Sequence, residues 1–166
     1  MILSVLKMPS LRKVRNLSTY QKALQTILPE TGLPYQAPGE IQFVLVTVPR
    51  MVKLNYLHLK HEGPTDVITY DLRPTPDEAI PLLPQELLGI PTLAEIYICP
   101  EVARKQAPQF QEPPSRELFR YAVHGLLHLA GLDDHTPEDL AAMRAGEERL
   151  LHAAEAAGFS LLDFLV

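Results

Sequence analysis

Two histidines four residues apart, His124 and His128, open the segment HGLLHLAGLDDH, which ends at His135. On an α-helix this spacing puts both imidazoles on one face, with Cβ atoms about 5–6 Å apart. Both rings can then reach one ion at about 2.0–2.1 Å. Gly131 is placed to reverse the chain in a left-handed conformation, and the turn Leu132-Asp133-Asp134-His135 can fold back to supply a third ligand. Three protein ligands leave one tetrahedral position for water, the arrangement of catalytic rather than structural zinc. A lone HxxxH is a weak signal, and its neighbours strengthen it. Leu118, Phe119, Ala122, Val123, Leu126, Leu127 and Leu129 make this helix apolar on nearly every side, so it packs deeply. Unpartnered buried polar groups cost on the order of 1–3 kcal/mol each, and one Zn²⁺ per chain satisfies both rings. Gly125 stands where the HExxH metalloproteases carry their glutamate base, which disfavours peptide hydrolysis.

The elements that must position this segment read as α+β. Residues 2–6 form a strand and 12–15 a basic loop. Ser18 or Thr19 caps a helix reaching residue 28, with Tyr20, Leu24, Ile27 and Leu28 on its apolar face. Pro29, Gly32 and Pro34 end it. Residues 40–48 (EIQFVLVTV) are rich in β-branched side chains and read as the central strand. A short helix is expected over 51–60, where Lys53 and Lys60 share a face, and strands over 67–72 and 95–99. Residues 73–91 hold five of the sixteen prolines and read as a long irregular connection. Pro100 starts a helix to Gln106. Ser115 is the expected N-cap of the helix through Ala130, and Thr136-Pro137-Glu138-Asp139 a capping box for a final helix to about Ala157. The expectation is one domain over 1–166: a roughly four-stranded mixed sheet packed by about five helices, with the metal site on a buried helix and the turn after it.

Length and composition agree. A chain of 166 residues, 46% hydrophobic and 21% charged, can bury a core without disulfides. Its single cysteine, Cys99, cannot form an intrachain bridge, which points to a reducing cytoplasm. The net charge of −5 argues against a generally basic nucleic-acid binder, but it conceals a split. Residues 1–60 carry eight Lys/Arg against two acids, +6, and the remainder seven against eighteen, −11. Such asymmetry is a known hint of a polyanion-facing side.

The segment from His124 resembles the YbeY family of metal-dependent endoribonucleases, whose pattern H-G-x-L-H-L-x-G-Y-D-H is matched by His124, Gly125, Leu127, His128, Leu129, Gly131 and Asp133. Asn55 with Pro64-Thr65-Asp66-Val67-Ile68-Thr69-Tyr70 is similar to a second family segment, and Leu93-Ala94-Glu95-Ile96-Tyr97-Ile98 weakly to a third. The resemblance implies a zinc ion held by three residues, with His124 and His128 at the catalytic centre. It also implies cleavage of single-stranded RNA in the maturation of the small-subunit ribosomal RNA 3′ end and in ribosome quality control, with the small subunit as a partner. Thr65 and Asp66 would then line the cleft.

Three departures bear on this. The third family histidine falls on Asp134 without a gap, while His135 lies one residue later. His135 is favoured by ligand type and Asp134 by register. The arginine usual five residues before the Pro-Thr pair is Leu59, with His58, Lys60 or His61 as substitutes, and Gly-Asp has become Ala94-Glu95. Leu59 keeps a second function in play, a non-enzymatic RNA-binding assembly factor with a structural metal.

Overall fold

Alternation at period two builds the sheet. In the computed structural model, which describes residues 1–34, 38–60, 62–75 and 89–166, Leu3 and Val5 are buried on β1 (Ile2–Lys7). Ile41, Phe43 and Leu45 are buried on β2 (Glu40–Leu45). With β3 (Val67–Asp71) and β4 (Thr92–Ile98) they form a four-stranded sheet in the order β1-β2-β4-β3. β2 runs parallel to β1 and β4, and β3 antiparallel to β4. The strand expected to be central is indeed interior, shorter than expected because Val48 already begins a helix.

Five α-helices are present among the described residues: α1 (Leu17–Ile27), α2 (Val48–Leu54), α3 (Pro100–Gln106), α4 (Pro114–Leu129) and α5 (Pro137–Ala156). α1, α4 and α5 share the main core with one sheet face, where Tyr20, Phe119 and Phe164 meet as an aromatic trio. The second core cluster joins Met51, Leu54, Ile68, Cys99 and Val102. Cys99 is therefore core, and burial pushes its thiol up to about 11.

Local expectations failed where distant partners intervene. The N-cap of α1 is Asn16, in the left-handed region at φ 54°, which asparagine tolerates better than most residues; Ser18 and Thr19 lie within the helix. Pro113 caps α4, and the Ser115 hydroxyl instead accepts hydrogen bonds from the backbone N–H of Phe164 and Leu165. The helix expected over 51–60 is α2 followed by a π-helical turn, Asn55–Leu59, with Lys60 left-handed at φ 57°. Lys53 and Lys60 consequently share no regular helical face. Much of the irregular connection, 76–88, lies outside the described residues.

Helix α4 approaches the sheet closely because Gly125 has no side chain. A Cβ there would stand 2.8 Å from Ile96 Cγ2 and 2.9 Å from Thr69 Oγ1. Gly125→Val should thus destabilise the fold by about 1–3 kcal/mol through overpacking. The check is thermal unfolding, where a loss of several degrees is expected for a domain of this size.

Candidate metal centre

The last turn of α4 and the chain reversal after it create the site. Gly131 adopts φ 100°, its N–H donates to His128 O (2.9 Å), and Leu132 N–H donates to Leu127 O (3.0 Å). This pair of bonds is a Schellman motif. Immediately beyond, Thr136 and Asp139 form the expected capping box that starts α5. The linker 133–135 is pinned at both ends, so its side chains have definite directions.

His124 Nδ1 is 2.8 Å from Glu147 Oε1 and His128 Nδ1 is 3.0 Å from Leu132 O. A carboxylate and a carbonyl can only accept, so each Nδ1 carries a proton. Both Nε2 atoms are left facing each other at 2.9 Å. Two lone pairs at that separation repel unless a proton or a cation lies between them.

Asp134 Oδ2 stands 3.7 Å from His124 Nε2 and 3.9 Å from His128 Nε2. Donors at the corners of a tetrahedron around an ion about 2.0–2.1 Å away would be roughly 3.3 Å apart. The observed separations bracket that value, and a two-imidazole, one-carboxylate set suits zinc. The group His124, His128 and Asp134 therefore fits a metal ion.

His135, favoured on ligand type alone, is turned away from the helix pair: its side chain is 81% exposed and its Nδ1 contacts Asp133 Oδ1. A second possible group, Asp133, Asp134 and His135, is wholly exposed and shares Asp134 with the first.

Burial by itself would pull the His124 imidazole below its usual value. The Glu147 hydrogen bond and charge, together with the charges of Asp66 and Asp134, outweigh it and hold the group above. A metal and a proton would therefore compete for this ring.

Behind the histidines lies a partly buried charge network. Glu147 is 6% exposed and Glu117 5%. Arg120 sits among four carboxylates: Glu112 (2.8 Å), Glu117 (3.1 Å), Glu147 (3.5 Å) and Glu148 (2.6 Å). Arg116 adds Glu155 (3.0 Å) and shares Glu112 and Glu148. Burial pushes the Glu117 carboxyl up, against the opposing pull of Arg120. Glu147 thus links the network to His124, the carboxylate–histidine arrangement that orients metal ligands. His124, His128, Asp134, Arg120 and its four carboxylates line one cleft of about 610 Å³, together with Asp66.

A sequence model described as Endoribonuclease YbeY matches residues 7–155. The chain belongs to the YbeY endoribonuclease family. It is 35% identical over 105 residues to a relative from Elusimicrobium minutum, covering 63% of this chain and 67% of that one. With a relative from Phocaeicola vulgatus it shares 30% identity over 113 residues, 68% of this chain and 72% of that one. Both are named endoribonuclease YbeY. The fold is similar to the solution structure of a Thermotoga maritima protein, with a TM-score of 0.59 at 22% identity, covering 94% of this chain and 91% of the other.

The other YbeY-like positions divide. Thr65 and Asp66 line the cleft, and Asp66 Oδ1 also accepts from Thr65 Oγ1 (3.0 Å) and Val67 N (2.8 Å), shaping the turn into β3. Asn55 Nδ2 donates to Gly63 O (2.9 Å) and so tethers the approach to that turn. Lys60 is not among the lining residues described; its ammonium donates to Leu57 O (3.3 Å) and lies 6.0 Å from the centre of the Tyr56 ring. Glu95 accepts from Tyr97 OH (2.9 Å) and is likewise not in the cleft lining. The side chains of His58 and Leu59, and His61 altogether, lie outside the described residues. Sequence reasoning missed Arg120 and Glu147. Glu147 carried a signal, a charge four residues after Met143 and four before Leu151, whereas Arg120 shares its helix face with Arg116, Glu117 and His124 and carried none.

Proposed function

We propose that this chain is a metal-dependent endoribonuclease that cuts single-stranded RNA, with Zn²⁺ held by His124, His128 and Asp134. The observation that carries this reading is the pair of Nε2 atoms turned toward one another and toward Asp134, with both Nδ1 atoms already engaged. When bound, a divalent ion supplies Lewis acidity, polarising a phosphoryl oxygen and lowering the pKa of water.

The chain supplies the rest. Glu147 and the Leu132 carbonyl fix the tautomer and tilt of the two rings. The Schellman turn aims Asp134, and the cleft gives an extended strand access to them. Family membership supports RNA as the substrate class. The resemblance extends the proposal to maturation of the small-subunit ribosomal RNA 3′ end, ribosome quality control and contact with the small subunit, in a reducing cytoplasm.

The test is cleavage of a labelled single-stranded RNA by rigorously RNase-free protein. About one zinc per chain is expected, with cleavage abolished by chelator, restored by Zn²⁺, and absent on duplex RNA. Undiminished cleavage by metal-free wild type would defeat the mechanism. Tight binding without any cleavage would favour the assembly-factor function with a structural ion.

A further inference from the structure

We infer that Phe110 and Arg144 form the grip for single-stranded RNA in this cleft, Phe110 stacking on a base and Arg144 contacting a backbone phosphate. The inference rests on the proposed function and assigns how its substrate is held.

The charges lining the cleft single out Arg144. Arg120 is consumed by its four carboxylates, two of which, Glu112 and Glu148, Arg116 also contacts, so acidic groups still outnumber cations on that wall. Arg144 is exposed, lines the same cleft, and has no ion pair or hydrogen bond among the described residues. On α5 it follows Leu140 by four residues and precedes Glu148 by four, and all three line the cleft. It is therefore the one described Lys or Arg of the cleft free to meet an anion.

Phe110 is 57% exposed and lines the same cleft. It ends the 3₁₀ turn Ala107–Phe110. Bonds from Gln111 N to Pro108 O (3.2 Å) and from Glu112 N to Ala107 O (3.0 Å) fix that turn. A phenyl ring offered to solvent from a fixed turn inside a polar cleft has the character of a stacking platform. Aromatic faces and cations sharing one groove are how single strands are held without a sequence preference.

The test uses zinc-loaded protein and labelled single-stranded RNA of mixed sequence, with initial anisotropy and cleavage rates read on the same samples. Phe110→Ala should weaken binding on the order of 5- to 100-fold, while Phe110→Tyr stays near wild type. Arg144→Ala should weaken binding and flatten the logarithmic salt dependence by about 0.7, the increment for one single-strand phosphate. Both side chains are exposed, so melting temperatures should not move. If wild type binds and cuts RNA but both alanine variants keep its affinity and salt slope, the grip is wrong and the proposed function stands. If wild type neither binds nor cuts, both fall together.

Discussion

Asp134→Ala should strip zinc and cleavage from the protein together, whereas His135→Ala should leave both intact. The two residues are neighbours, yet Asp134 points its Oδ2 at both imidazoles while the His135 ring stands in solvent against Asp133. Changes to outer partners of a metal ligand already cost 10–100-fold in affinity or activity. Removal of a ligand should exceed that, so a loss of more than about 100-fold is expected for Asp134→Ala, as for His124→Ala and His128→Ala. Zinc content by mass spectrometry under native conditions and cleavage assays read the outcome. The reverse pattern, metal lost with His135 and kept without Asp134, would mean that the linker rearranges around the ion and that the ligand set is misassigned.

Arg120→Ala should be the most damaging single change to stability outside the apolar core. It would leave Glu117 and Glu147, both nearly buried, with their principal counter-charge removed. Breaking a buried pair by deleting one partner typically costs about 3–5 kcal/mol. For a chain of this size that corresponds to a fall in melting temperature of roughly 6–20 °C. Arg120→Lys should recover only part of it, because an ammonium lacks the planar fork that reaches several carboxylates at once. Unfolding curves near those of wild type for Arg120→Ala would show that the carboxylates take up protons or water at little cost.

What the sequence disclosed, and what it hid, divides by the range of the interaction. Gly131 and the Thr136–Asp139 box were legible because their partners lie within a few residues. β2 was legible because a run of β-branched and aromatic residues suits an interior strand. The convergence of His124 and His128 follows from helical spacing alone.

The choice between Asp134 and His135 was not legible. It depends on the direction each side chain takes from a linker clamped between two helices. Ser115 misled for a related reason: its hydroxyl serves backbone amides about fifty residues away. Arg120 looks like a surface charge in sequence, and only the packing of α4 on α5 brings it against Glu147.

All three candidate donors lie within eleven consecutive residues, 124–134. A denatured chain therefore keeps them close at no cost in long-range loop closure, and it retains some affinity for the ion. By mass action, an ion that associates with both ensembles stabilises the native one only through the difference in affinity. The metal would accordingly act more as an occupant of this protein than as its staple, with cohesion left to the aromatic trio and the arginine–carboxylate network.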